Sequence, residues 1–174
     1  YTDDTLLGNI EKLDNSFEKI IYGIYTMMPP RRLEYQNVYI SSSSYKVLPD
    51  KNYLILHKKI PQKFIFQDYK TSKTYGRVEL LIPEILKPYI SQYLKENKIK
   101  NNDLFINLNK MKFTNKIKKT FYKVYNEDIS VRWLRISYAT MLDGLDISNN
   151  EKEEKTIQMG HNLTQSGKYK KLLR

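Results

Sequence analysis

The sequence has no cysteine and only two histidines, His57 and His161, among its 174 residues. Without cysteine the chain cannot form a disulfide bond, a zinc ribbon or a cysteine nucleophile. Two histidines are too few for a histidine-rich metal site. These absences predict a protein that uses no bound metal or other cofactor, and a chain free of cysteine is typical of an intracellular location.

Other familiar catalytic arrangements are missing as well. The six glycines form no phosphate-binding loop, which argues against nucleotide hydrolysis. The acidic residues are scattered or gathered at one predicted helix start, so they do not form the carboxylate cluster of a two-metal nuclease. No serine lies in the nucleophile-elbow context of a hydrolase.

Long hydrophobic runs are also absent. The longest apolar stretch, residues 20–28, is broken by Gly23 and is too short to span a bilayer. No signal peptide is visible. The chain begins at Tyr1 rather than at Met, which we interpret as the start of a fragment with a further segment upstream. A membrane-surface role has little support, because no predicted helix combines a wide apolar face with a basic one.

Basic residues are in clear excess. The sequence has 30 lysines and arginines against 19 aspartates and glutamates, a formal net charge of +11. Such a charge favours a polyanionic partner, either nucleic acid or an anionic membrane surface. Lysine, asparagine, isoleucine and tyrosine are all abundant, which indicates an AT-rich genome and explains part of the lysine excess by codon bias. Charge alone therefore does not separate a DNA-binding protein from an ordinary basic one.

Apolar periodicity predicts helices at both ends of the chain and strands in the middle. Spacings of three and four predict two helices within residues 5–28, ended by Pro29-Pro30, and a short helical turn around 31–37. Strands are predicted over 53–57, 63–70 and 77–82, the last two as a hairpin. The fold class is therefore α+β, mostly helical with a small antiparallel three-stranded sheet, in one domain over residues 1–174.

The predicted helices of the second half begin at polar residues that can cap them. The predicted starts are Pro83 for a helix to residue 96, Thr114 for a helix to 125, Ser130 for a helix over 131–142, Asn149 or Asn150 for a helix to 159, and Thr164 for a last helix that carries Tyr169.

Several basic residues and one tyrosine lie where the chain is predicted to change direction. Each alone is typical of a solvated surface or of ordinary packing. In chain order they are Arg31 and Arg32 after the proline pair, Lys70 and Lys73 beside the predicted hairpin turn, Arg132 and Arg135 on one helix face, Gly160-His161 after a helix, and Tyr169.

In this order the series resembles the catalytic domain of the tyrosine recombinase (phage-integrase) family. That family shows an Arg with an acidic residue three positions later, a hairpin Lys, a His-x-x-Arg pair, a Gly-His pair and a Tyr. The matching positions are Arg31 with Glu34, Lys70 or Lys73, Arg132 with Arg135, Gly160-His161, and Tyr169. The MMPPRR form and the AT bias resemble the viral or mobile-element branch.

The chain departs from the family pattern at two points. Arg132 stands where the family has His or Lys, and an arginine with a pKa above ~12 cannot act as a base, although it can bind phosphate. The interval between His161 and Tyr169 is also one residue shorter than in the family pattern.

The resemblance implies a site-specific recombinase or integrase that cuts and rejoins double-stranded DNA through a 3′-phosphotyrosyl link from Tyr169, without metal or ATP. Arg31, Arg135 and His161 would bind the scissile phosphate. Lys70 or Lys73 would give a proton to the leaving 5′-oxygen, and the choice between them stays open. The family also implies a DNA-clamping domain upstream and a homotetramer on DNA, and we expect a monomer in solution.

The remaining basic residues are expected to bind backbone phosphates. The residues proposed for this role are Arg32, Lys116, Lys118, Lys119 and Lys123, the lysines lying on the predicted 114–125 helix. The alternative interpretation of that helix is an ordinary solvated face. Two rival functions also stay open: a type IB topoisomerase, which shares the chemistry, and a DNA-binding module whose catalysis has decayed, as Arg132 hints.

Overall fold

The structure is a computed structural model, and it describes residues 3–160 of the chain. Within that range two helices come first, the strands follow, and the last third is helical. The α-helices are α1 Asp3–Ile10, α2 Ser16–Thr26, α3 Ser72–Tyr75, α4 Lys87–Glu96, α5 Lys110–Tyr125, α6 Val131–Gly144 and α7 Asn149–Gln158. The strands are β1 Val38–Ser41, β2 Asn52–His57, β3 Ile60–Phe66 and β4 Val78–Leu81, and 3-10 turns span Glu34–Asn37 and Glu84–Leu86.

The two helices predicted at the start of the chain are confirmed. The side chain of Asn15 caps α2 by accepting a hydrogen bond from the backbone N–H of Glu18 at 2.9 Å. Helix α2 ends at Thr26, just before Pro29-Pro30. The helix predicted from Pro83 is also present, as the 3-10 turn over Glu84–Leu86 that leads directly into α4.

The sheet has four strands in the order β1-β2-β3-β4, so the prediction of three antiparallel strands is wrong. Strands β2, β3 and β4 are antiparallel neighbours, as expected, but β1 pairs with β2 in parallel. A further segment covers the outer edge of β1. The N–H of Phe105 donates to the carbonyl of Val38 at 2.7 Å, and the N–H of Ile40 donates to the carbonyl of Asp103 at 2.9 Å.

Two of the predicted helix starts are wrong. Asn109, rather than Thr114, caps α5, and the Thr114 hydroxyl donates back to the carbonyl of Lys110 at 2.8 Å. Ser148, rather than Asn149 or Asn150, caps α7 in a reciprocal capping box with Glu151.

The predicted cap of α6 at Ser130 is confirmed, and the helix runs on to Gly144. The helix predicted from Thr164 lies outside the described residues.

One apolar core joins the helices to the sheet. Helix α2 packs against α4 and α5, α4 lies on β3, and α7 meets both β4 and α6. The centre of this core is an aromatic group whose rings meet edge to face at 5.2–5.7 Å. Its members are Tyr25, Tyr35, Phe64, Phe66 and Phe105. None of the helices between residues 3 and 160 is long and apolar enough to cross a membrane.

Candidate active site

Arg31 follows α2 and the proline pair, and its side chain is fully buried. The guanidinium lies against two aromatic rings, with its central carbon 4.2 Å from the ring centre of Phe66 and 4.5 Å from that of Tyr69. Its Nη1 donates to the backbone carbonyl of Gln158 at 2.7 Å. Its Nη2 lies 3.6 Å from Oε1 of Glu34, which is the acidic residue three positions later in the family pattern.

Two donors of Arg31 have no hydrogen-bond partner among the described residues. They are Nε and Nη2, which together form one edge of the guanidinium plane. Burial lowers the pKa of Arg31 from its ordinary value, and the Glu34 carboxylate opposes that shift. The edge of a guanidinium with two parallel N–H groups can bind two oxygens of a phosphate, and in Arg31 the Glu34 carboxylate lies near one of these groups, at Nη2.

Arg135 comes from α6 and reaches the same place. Its side chain is only 2% exposed, and Nη1 donates to the carbonyl of Pro30 at 3.0 Å and to that of Met159 at 2.8 Å. Arg31 and Arg135 thus bind the consecutive carbonyls of Gln158 and Met159, which makes the two guanidiniums neighbours. The structure therefore brings these two predicted site residues together, and we call this arginine pair with the carbonyls that it binds the arginine site. Their catalytic role stays a prediction.

Gly160 lies directly against Arg31. A Cβ atom at this position would stand 3.2 Å from Arg31 Nη2, closer than ordinary van der Waals contact. The backbone of Gly160 also has φ +72°, in the left-handed region that favours glycine. Both conditions explain why a glycine precedes His161 in this sequence.

The connection between β3 and β4, residues 67–77, carries both predicted lysines, and we call it the lysine connection. Lys70 and Lys73 are both exposed, and Lys73 lies on the short helix α3. Lys70 is flanked by two residues that reach the arginine site. Tyr69 stacks on Arg31, and the Thr71 hydroxyl donates to the carbonyl of Gly160 at 3.3 Å.

Hydrogen bonds fix both ends of this connection. The buried side chain of Asn52 accepts from the backbone N–H groups of Gln67 and Asp68, each at 2.8 Å, and donates to the carbonyl of Asp68 at 2.9 Å. The Tyr69 hydroxyl donates to the carbonyl of Gly76 at 2.7 Å. The lysines therefore extend from a backbone that is held in place beside Arg31.

Three of the other predicted residues are placed differently or lie beyond the described range. Arg132 is exposed, although it precedes Arg135 by one helical turn, and it takes no part in the bonds to Pro30 and Met159. His161 and Tyr169 lie outside the described residues, so their roles stay predictions.

The basic residues predicted to bind DNA fall into two groups. Lys123 Nζ contacts Asp14 Oδ2 at 2.6 Å and Glu18 Oε1 at 2.7 Å, which ties α5 to the start of α2. Lys118 Nζ lies 3.5 Å from Asp128 Oδ2. Lys116 and Lys119 are exposed on α5, and Arg32 is half-buried beside Arg31. The exposed pair is better placed to meet a phosphate than Lys123 is.

Sequence reasoning did not single out the residues that hold the arginine site together. These are Phe66 and Tyr69, whose rings contact Arg31, Asn52, which fixes the lysine connection, and Thr71, which reaches Gly160. The only feature of the sequence that could have pointed to one of them is that Tyr69 directly precedes Lys70. The stacking depends on where a distant arginine lies, and local patterns do not carry that information.

No protein-family model matches the sequence, and no curated protein matches it either. Among solved structures, the fold is similar to that in the crystal structure of XerA recombinase, with a TM-score of 0.60 and 14% sequence identity. The alignment covers 97% of this chain and 57% of that one, so the chain spans little more than half the length of its neighbour. At this identity the likeness establishes the fold: the chain has a mixed α+β fold similar to that of a recombinase.

Proposed function

We propose that the chain is the catalytic domain of a tyrosine recombinase, which cleaves and rejoins DNA through a covalent bond from Tyr169 to a phosphate. One observation carries the proposal. The fully buried Arg31 uses Nη1 for the Gln158 carbonyl and leaves its Nε and Nη2 edge without a hydrogen-bond partner among residues 3–160. Such a guanidinium edge can bind two oxygens of a phosphate, and Arg135 supplies a second buried guanidinium, which binds the neighbouring carbonyl of Met159.

The order of the residues along the chain supports the same function. The fold is similar to that of a recombinase, and Arg31 lies against Gly160, immediately before His161. A phosphodiester that is cut without a metal needs cationic groups to stabilise the charge of its transition state. Two guanidiniums held by backbone carbonyls provide them at positions that do not have to reorganise during the reaction.

The proposed reaction has two steps. The Tyr169 oxygen attacks phosphorus, the bond from phosphorus to the 5′-oxygen breaks, and the phenol proton passes to water or a nearby base. The leaving 5′-oxygen takes a proton from Lys70 or Lys73. Religation reverses the step: a 5′-hydroxyl attacks the phosphotyrosine, and Tyr169 leaves. The energy of the broken bond is kept in the phosphotyrosine, so no ATP is consumed.

The geometry favours Lys70 over Lys73 as the proton donor. Its neighbours Tyr69 and Thr71 contact Arg31 and Gly160, whereas Lys73 lies on α3, further along the connection. His161 would donate a further hydrogen bond to the phosphate. Arg132 is exposed and cannot accept a proton, so we assign it to phosphate binding.

The test is covalent trapping on DNA. The chain is incubated with a pool of nicked duplexes of randomised sequence, in which cleavage near the nick releases a short strand and prevents religation. We expect an adduct that resists denaturant, with a 3′-phosphate attached to Tyr169 by mass spectrometry, and no adduct from Tyr169→Phe. Intact DNA binding without any Tyr169-dependent adduct would overturn the proposal in favour of a DNA-binding module.

A second assay separates recombination from the related topoisomerase activity. The duplex recovered from the trapping experiment is placed once or twice on a supercoiled plasmid. A recombinase exchanges strands between two sites, whereas a type IB topoisomerase relaxes a plasmid without a partner site. Relaxation without any exchange would replace the recombinase assignment by the topoisomerase one.

A further inference from the structure

Tyr69 is the residue that joins the arginine pair to the lysine connection. Its side chain is 7% exposed and makes two contacts that point in different directions. The ring stacks on Arg31, with the guanidinium carbon 4.5 Å from the ring centre. The hydroxyl donates to the Gly76 carbonyl at 2.7 Å.

The ring contact restricts how the Arg31 plane is oriented. The polar restraints on the guanidinium are the hydrogen bond from Nη1 to the Gln158 carbonyl and the 3.6 Å ion pair of Nη2 with Glu34. Phe66, at the end of β3, and Tyr69 both lie against the guanidinium, and these two ring contacts limit how far its plane can tilt. The direction of the Nε and Nη2 edge, where a phosphate would bind, is limited by the same contacts.

The hydroxyl contact closes the lysine connection. The ladder between β3 and β4 ends at the pair Phe66 and Val78, so no strand pairing holds the residues between them. The bond from Tyr69 to Gly76 spans this interval and encloses both Lys70 and Lys73. Gly76 has φ +65°, which allows the chain to turn back towards β4 at that point.

The electrostatics keep the Tyr69 hydroxyl a donor. Burial raises the pKa of Tyr69 above its ordinary value, and Arg31 opposes that shift. The phenol therefore stays protonated at neutral pH and can donate to the Gly76 carbonyl. It is not itself placed to act as a nucleophile, because its oxygen is occupied by this bond.

We propose that Tyr69 is a positioning residue that serves both parts of the site, setting the Arg31 plane with its ring and the lysine connection with its hydroxyl. The inference rests on the proposed function, since it assigns Arg31 to the phosphate and a lysine to the leaving group. It goes beyond that function by predicting that the two effects of Tyr69 can be separated chemically.

The experiment uses two variants and two substrates. Tyr69→Phe keeps the ring and removes the hydroxyl, whereas Tyr69→Leu removes both contacts. The first substrate is the nicked duplex recovered by trapping, and the second is the same duplex with sulfur in place of the bridging 5′-oxygen. A thiolate has a pKa of ~8.5 and leaves without a proton donor, so this substrate does not need the lysine.

Tyr93 provides the matched control. It is 5% exposed, and its hydroxyl donates to a backbone carbonyl, that of Phe105, at 2.9 Å, as the Tyr69 hydroxyl does to Gly76. It takes no part in the contacts around Arg31. Tyr93→Phe and Tyr93→Leu therefore report the cost of losing a buried hydroxyl or ring elsewhere in the core. Thermal unfolding and DNA affinity are measured for all four variants.

We expect Tyr69→Phe to cleave the ordinary duplex about 10- to 100-fold more slowly and to recover most of that loss on the sulfur substrate. Tyr69→Leu should be slow on both substrates, because Arg31 is misaligned whichever group leaves. Both should bind DNA normally, and Tyr93→Phe should cleave at the unsubstituted rate.

Other results would overturn the inference. If Tyr69→Phe is as slow on the sulfur substrate, or as fast as Tyr93→Phe on the ordinary one, the hydroxyl does not position the lysine. If Tyr69→Leu also recovers on sulfur, the ring does not position Arg31. Failure of the proposed function is separate, because the unsubstituted chain would then form no Tyr169 adduct with either substrate.

Discussion

Gly160 and Arg31 fit each other closely, although they lie far apart in the sequence. The glycine brings its backbone against Nη2, and Arg31 donates to the carbonyl of Gln158, two positions before that glycine. A Cβ atom at position 160 would require Arg31 Nη2 to shift. The Gly-His pair of the sequence therefore has a structural reason for its glycine that is independent of any role of His161.

Gly160→Ala should weaken both the fold and the reaction. The new Cβ would approach Arg31 Nη2 to 3.2 Å, and alanine is strained at φ +72°. We expect the free energy of unfolding, measured by urea denaturation, to fall by about 1–3 kcal/mol. Gly144→Ala is the control, because a Cβ there meets nothing within 4 Å. Equal stability of the two variants would contradict the fit of Gly160 to Arg31.

Arg31→Lys keeps the positive charge and removes the planar edge. Lysine cannot present two parallel N–H groups, nor can it pack a planar cation against Phe66 and Tyr69 as a guanidinium does. We expect the rate of adduct formation at saturating DNA to fall by about 10²–10³-fold. Arg77→Lys, at an exposed arginine that pairs with Glu79, should leave that rate unchanged. A similar loss in both variants would show that guanidinium geometry at Arg31 is not the cause.

Some residues of the site could be identified from the local sequence, and others could not. The sequence order led to Arg31, Lys70, Lys73 and Arg135. The structure brings the two arginines together and places the exposed lysines on the connection that contacts Arg31 through Tyr69. Tyr69 and Asn52 could not be found in that way. Tyr69 contacts Arg31, and Asn52 accepts hydrogen bonds from the backbone of residues 67 and 68. Both contacts join chain segments that meet only after folding.

Helix α7 delivers the carbonyls that hold the two arginines. It is short, and half of its residues are exposed, so its N-terminal cap contributes to its stability. The Ser148 side chain accepts from the N–H of Glu151 at 3.2 Å, and the Glu151 carboxylate accepts from the N–H of Ser148 at 2.9 Å. This capping box fixes where α7 begins, and the helix ends at Gln158 with Met159 as its C-cap.

Ser148→Ala should therefore cost about 1 kcal/mol in the free energy of unfolding. Asn149→Ala should cost much less, because Asn149 lies inside the helix rather than at its cap. Urea denaturation of the two variants side by side measures the difference. The reverse order would mean that Asn149 is the cap, as the sequence alone predicted.

The lysines of α5 should differ in what they contribute. Lys119 is exposed, and Lys119→Ala should lower the dependence of log affinity on log salt by about 0.9, the value of one lost phosphate contact. Lys123 is held by Asp14 and Glu18, so Lys123→Ala should lower the midpoint of thermal unfolding and leave that slope unchanged. Titrations by fluorescence anisotropy at several salt concentrations decide between these outcomes. A slope that changes only in Lys123→Ala would contradict the assignment.

Sequence patterns predicted the long helices and the presence of three antiparallel strands, because each has its own apolar repeat. The strand predicted over 63–70 was placed too late, since β3 runs over Ile60–Phe66 and residues 67–70 belong to the connection that follows it. Strand β1 was missed for two physical reasons. It is only four residues long, and its partner β2 runs parallel to it across a connection without a tight-turn signal. The starts of α5 and α7 were missed because several neighbouring residues can cap a helix, and tertiary packing selects among them.

The net positive charge of the molecule would act on DNA from a distance, whereas the candidate site would act only in direct contact with it. The exposed lysines account for much of the +11 net charge and would meet DNA first, whereas Arg31 and Arg135 are buried and shielded from salt. We expect DNA affinity to fall steeply with salt, while the cleavage rate at saturating DNA changes little. Anisotropy titrations and single-turnover trapping measure the two quantities. A cleavage rate that falls in parallel with affinity would contradict this division.

The burial of the two arginines has a consequence for which residues would change during evolution if the activity were lost. Arg31 and Arg135 bind the carbonyls of Pro30, Gln158 and Met159, so they join the end of α2 to the end of α7 whether or not DNA is cut. A descendant that had lost its activity would be expected to keep both arginines and Gly160, because its fold still needs them. Lys70 and Lys73, which are exposed, would change first. In relatives of this chain, the presence of these lysines would therefore be a better indicator of retained activity than the presence of the two arginines.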